Sequence, residues 1–167
     1  MAIKRKMNLG FGTDPMSVNL SSLPPQAAGE VGGVYEQAGK GWQMYQLVDA
    51  GPAVIGDVGY IKLSSGVPLY GQCTRTIGNS TGNLAVGVFT FAVTLNYYTL
   101  IQTMGYIAGV KAETSYDGLG DQGFAHTANN SLAGVNLGVA AINLPVAIGL
   151  GAIAAGLTPS LLKFGYI

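Results

Sequence analysis

Leu132–Leu157 reads LAGVNLGVAAINLPVAIGLGAIAAGL, and how this run is housed decides the fold. It lies inside a longer stretch, from Gln122 to Leu162, that holds no Asp, Glu, Lys or Arg. Such a run needs a bilayer, a protein core or another subunit. It is long enough for a membrane helix, which takes about 20 apolar residues. Gly134 and Gly138 even give the GxxxG spacing of packed membrane helices. Against a helix stand Asn136, Asn143 and Pro145 inside the span, and the glycines that interrupt it. No aromatic belt or basic flank follows, since Lys163 stands alone. The run divides more naturally into short apolar strands or loops. These are LGVAAI (137–142) and PVAIGLGAI (145–153), followed by SLLKFGYI (160–167) as a terminal strand.

The residues before it support a β reading. WQMYQLVDA (42–50) is a first strand, stopped by Gly51-Pro52. A turn at Gly56-Asp57 leads into alternating Val58, Tyr60 and, opposite, Ile61, Leu63. Ser64-Ser65-Gly66 is a turn, and Val67–Ile77 alternates Val67, Leu69, Gly71 and Cys73 on one face. LAVGVFTFAVTL (84–95) is rich in Val, Phe and Thr, which suit a pleated surface. It reads as one strand with Phe89, Phe91, Val93 and Leu95 on one face, turning back across Asn96-Tyr97. No amphipathic helix stands out before residue 130. The fold class is therefore all-β, a small barrel or sandwich.

Residues 1–33 differ. They carry Pro15, Pro24-Pro25 and many small residues, with no sustained period. They also carry Met7, Leu9, Phe11, Met16, Val18, Leu20 and Leu23, more apolar residues than a solvated tail holds. This is an extended arm suited to lying on a partner. The β-rich body then covers 34–167. Basic residues near the start have no apolar segment after them, so a secretory signal is not expected.

Composition points to assembly. Charged residues make up 10% of the 167 residues, and the formal net charge is zero. An ordinary soluble domain holds roughly 25% charged residues. With mean hydropathy at +0.36, little like-charge repulsion keeps copies apart. Glycine supplies 26 residues, which suits turns and bulges rather than long helices.

Motifs for chemistry are weak. Gly118–Gly123 matches G-x-G-x-x-G, but Asp121 stands where a phosphate would approach and no helix pattern follows. Asp117 and Asp121 lack the dense acidic spacing of calcium loops. The single cysteine, Cys73, and the single histidine, His126, make neither a disulfide nor a zinc site. Glu30, Glu36, Asp49 and Asp57 fall at turns and strand ends, where solvated charges normally go. No catalytic residue, metal site or cofactor is expected. Lys4-Arg5-Lys6 is the one dense charge cluster, too small for a nucleic-acid face; it suits a solvated terminus or an acidic protein surface.

Three stretches carry a resemblance: GWQMYQLVDAGPAVIGDVGYIKL (41–63), LAVGVFTFAVTLNYYTLIQTMGYIAGVKAE (84–113) and SYDGLGDQGFAHTAN (115–129). Gly56-Asp57 followed by Tyr60, then Gly87, Val88, Tyr98, Gln102 and Gly105, then Gly120-Asp121, give the recurring points. From about Trp42 onward the chain resembles the head decoration, or cement, proteins of tailed bacteriophages. The final third is more apolar and Gly-rich than that pattern. The resemblance implies a non-enzymatic β-barrel or sandwich on the outer capsid surface. It implies trimers that clamp neighbouring capsomers of the major capsid protein. Lys4, Arg5, Lys6, Phe11 and Met16 are then the expected contacts to the capsid or a neighbouring copy. Trp42, Phe89, Phe91 and Leu132–Leu157 are the expected core or subunit interface. Competing readings are another minor virion component (a small shell subunit or head-fibre base) and a small membrane protein anchored by 132–157.

Overall fold

The computed structural model describes residues 33–48, 52–75, 84–116, 118–125, 131–134 and 146–164. Among them every regular element is a β-strand and none is a helix. The chain opens with a hairpin of β1 (Val34–Gln37) and β2 (Lys40–Leu47). Its two-residue turn, Ala38-Gly39, has φ of 49° and 75°. A second hairpin joins β3 (Val58–Ser64) to β4 (Val67–Thr74) through Ser65-Gly66, with φ of 51° and 80°. Positive φ at both turn positions matches the strands' own right-handed twist, which is why such turns favour tight hairpins.

Five strands close into a ring. Parallel to β2 runs β4, which pairs antiparallel with β3. Next to β3 lies β5 (Ala85–Phe89), and β6 (Tyr98–Lys111) follows. The first half of β6 returns to β2, from Gly41↔Met104 to Gln46↔Tyr98. The order β2-β4-β3-β5-β6 and back to β2 leaves no open edge within the ring. Tyr45, Leu47, Ile61, Cys73, Val86, Phe89 and Ile101 pack together as one buried cluster.

The second half of β6 carries an extension. It pairs with β10 (Leu157–Lys163), then come β9 (Ala147–Gly149), β7 (Gln122–Ala125) and β8 (Leu132–Ala133). Ile107, Val110, Tyr116, Leu132, Ala147, Leu162 and Phe164 pack with Val58, Tyr60 and Val88 of β3 and β5. The extension thus lies against the ring as a second layer. Tyr116 is fully buried there, its hydroxyl 3.0 Å from Ser160 Oγ. Thr158 Oγ1 donates to the Tyr116 carbonyl at 3.3 Å.

Within the described part of the apolar run, Leu132–Ala133, Ala147–Gly149 and Leu157 are in strands and 150–156 is not; Leu132 and Ala147 are buried and Ile148 and Leu150 exposed. No helix among the described residues is long and apolar enough to cross a membrane. Trp42 and Phe89 are buried as expected. The terminal strand begins at Leu157 rather than Ser160.

Leu84–Leu95 is not one strand. Its strand stops at Phe89, because its partner ends there in the Gly56-Asp57 turn: Gly56 N donates to Phe89 O, and Phe89 N to Asp57 O, both at 2.9 Å. The chain then crosses to an isolated bridge between Ala53 and Val93 and turns at Leu95-Asn96. Phe91 is only half-buried and Leu95 is exposed, so the shared face expected for 89–95 does not form. Beyond that bridge β5 and β6 do pair antiparallel, at Val88↔Gln102 and Phe89↔Ile101. Along β4, Gly71 and Cys73 are buried while Val67 is exposed, since the hairpin tip outruns the core.

Candidate interaction surface

The residues of the sequence motifs are structural. Asp57 has no exposed side-chain surface, contrary to the solvated role expected for a strand-end carboxylate. The reason is that three segments converge on it. Its Oδ2 accepts the Val54 N–H at 2.9 Å and lies 2.8 Å from Arg75 Nε at the end of β4. Its Oδ1 accepts the ammonium of Lys111 at the end of β6. The Arg75 Nε–H is not aligned with the carboxylate, so that contact is an ion pair, while Arg75 Nη1 donates to Pro52 O at 2.6 Å. A buried carboxylate between two cations keeps its charge compensated, which burial alone would penalise strongly.

Gln102 and Gly105 form a second device. Gly105 has φ of 88°, and a Cβ there would meet Gly39 O and Lys40 Cα of the β1–β2 turn. Gln102 Nε2 donates to the carbonyls on either side of this bend, Met104 O at 3.1 Å and Tyr106 O at 2.9 Å. The pair lets β6 pass from ring to extension under a closely packed turn.

The Gly118–Gly123 loop is likewise self-contained. Gly118 N donates to Asp121 Oδ2 at 2.8 Å, and the Gly120 N–H and the Asp121 carbonyl pair with Gly149 at 2.8 Å each. Its amides are spent inside the fold rather than aimed at a phosphate. Cys73 is a buried thiol on β4. No group of three His, Cys, Asp or Glu among the described residues is arranged to hold a metal ion. Lys4, Arg5, Lys6, Phe11, Met16 and His126 lie outside the described residues.

One stretch of the body's exposed surface is apolar. Tyr106 on β6 pairs with Leu161 on β10, and Leu161 pairs with Ile148 on β9. Directly paired residues point to the same face of a sheet. The three form a row across three strands, 48%, 45% and 45% exposed. Ala108, two residues along β6, and Leu150, next after β9, are exposed beside it. Basic residues border the row: the Lys40 ammonium sits 6.0 Å from the Tyr106 ring centre, and exposed Lys163 lies two residues from Leu161. The neighbours Ile107 and Leu162 point the other way and are buried.

Sequence alone points to Leu132–Leu157, with Trp42, Phe89 and Phe91, as core or subunit interface; that range holds Ile148 but not Tyr106 or Leu161, because the row draws on three separate strands. One signal was present. Leu161-Leu162 are adjacent in a strand and must face opposite sides, so only one of them can be buried in a single core.

Against known proteins, the chain matches no family model, and no curated protein is similar to it by sequence.

Proposed function

We propose that the chain is a structural virion protein that decorates the outer surface of an icosahedral phage capsid. It stabilises the shell by binding across neighbouring capsomers, as a homo-oligomer whose expected form is a trimer. Its partners are the major capsid protein and further copies of itself; it is not an enzyme and uses no cofactor, nucleic acid or membrane. The observation that carries this reading is the in-register apolar row Tyr106–Leu161–Ile148 on a body whose charges and glycine loops serve its own fold. A flat apolar patch with a polar rim is what an association surface requires. Several weak contacts to neighbouring capsomers add up through multivalency. The phage assignment itself rests on the motif resemblance.

The test mixes the purified protein with capsids that lack it. Saturable co-sedimentation and a higher capsid rupture temperature are the expected results. Absence of binding overturns the reading, as does a monomer by light scattering at high concentration. Labelling inside the shell or at a fibre base favours another virion component instead.

A further inference from the structure

We infer that the row Tyr106–Leu161–Ile148 is the seat for residues Asp14–Leu20 of a neighbouring copy of this chain, an inference that rests on the assembly reading above.

The segment reads DPMSVNL, with Met16, Val18 and Leu20 alternating with Ser17 and Asn19. In an extended chain the first three share one face and the two polar residues the other. From Met16 to Leu20 such a chain spans about 13 Å, and three sheet strands at about 4.8 Å spacing span about 10 Å between the outer two. Three apolar side chains therefore match three exposed ones. Charge agrees as well. Asp14 is the first acidic residue of the chain, and the row is bordered by Lys40 and Lys163. Pro15 within the segment, and Pro24-Pro25 behind it, reduce the freedom lost when it settles.

Direction decides which copy supplies it. β1 runs toward the Ala38-Gly39 turn, and that turn rests on Gly105, next to Tyr106. The chain enters β1 at the opposite end, where Gly33 O accepts the Met44 N–H at 3.0 Å. Residues before Gly33 thus join the body at the end of the hairpin far from their own row. Between Leu20 and Gly33 the chain can extend roughly 45 Å, at about 3.4 Å per residue. That reach carries Asp14–Leu20 to an adjacent copy without doubling back. Exchanged in this way around a closed ring of copies, each arm covers one row and each row receives one arm.

The test uses the full chain with Cys73→Ser, Val18→Cys and Leu161→Cys under mild oxidation. Disulfide-linked dimers and higher species should form about tenfold faster than in a control carrying Val67→Cys in place of Leu161→Cys, because docking raises the local thiol concentration. Val67 is 62% exposed at the tip of the β3–β4 hairpin, away from the row. Equal rates overturn the inference, and so does a product that stays monomeric, which would mean the arm folds back on its own body. A second measurement keeps Cys73 in place. Met16→Ser, Val18→Ser and Leu20→Ser together should lower the mass by light scattering to that of a monomer with circular dichroism unchanged; an unchanged mass overturns the inference. Neither experiment contains capsids. Cross-linking without capsid binding would retain the arm seat and remove the decoration reading, and the reverse result would do the opposite.

Discussion

The ring and the extension use similar residues differently. In the ring, strand closure turns Tyr45, Ile61, Phe89 and Ile101 inward, and most exposed apolar residues of β3–β5 and their connections, such as Ile55, Val67 and Leu95, sit at turns and hairpin ends, Tyr70 in mid-β4 being the exception. In the extension Tyr106, Leu161 and Ile148 are exposed within strands and in register, while Leu119 sits in a turn. The ring gains its stability from closure and a buried ion node. The extension gains part of its own from the ring beneath it and leaves an apolar row on its outer face exposed. The lesson is that hydropathy alone does not separate core from interface; pairing register does.

Alkali should break both regions together. Burial raises the phenols of Tyr45 and Tyr60 in the ring well above the ordinary 10.0, with Cys73 and Tyr70 adding to the effect at Tyr45. Burial also raises Tyr116 in the extension, and Asp121 adds to it, while the Ser160 hydrogen bond opposes. A raised folded value means that the native state holds its protons more tightly than the unfolded chain. The resulting stability is fully present below pH ~10 and is lost as pH rises above it. Tyrosinate absorbance and circular dichroism should change in one coincident transition. Titration of all tyrosines with the fold intact would contradict the burial of these three.

Asp57→Asn should sharpen the contrast. It leaves Arg75 and Lys111 facing each other without a counter-charge, at a cost of about 3 kcal/mol in urea unfolding, the scale for breaking a buried pair. A loss below about 1 kcal/mol would place the node among solvated surface pairs. The smallest effect on folding belongs to the row. Leu161→Ser should change body stability by no more than about 0.5 kcal/mol, yet reduce self-association by light scattering. A large drop in stability would assign the row to the fold instead.

Much of the fold is legible in the residues. Alternation at Val58–Leu63 and the turn residues Ser65-Gly66 mark a hairpin whose physics is local. Trp42 and Phe89 announce burial by size. Ring closure is not legible, because the β2–β6 and β2–β4 pairings join segments far apart in the chain. The end of β5 is hidden for the same reason: Phe91, Val93 and Leu95 keep a strand pattern where no partner strand continues. Of the candidate site, the apolar run was visible, but its division between Leu132 inside and Ile148 outside depends on which strands flank it. Asp57 shows how a charge at a turn misleads when its partners, Arg75 and Lys111, arrive from other strands.

One strand, β6, belongs to both regions. Its first residues complete the ring and its last ones template β10. A cut after Lys111 would therefore not yield two self-sufficient pieces. The extension would lose the strand on which it is built, while the ring would keep a ribbon with nothing to cover it. For the history of such a chain, this means that the exposed apolar face cannot be shuffled onto another protein as a cassette. It can be inherited only together with the ring.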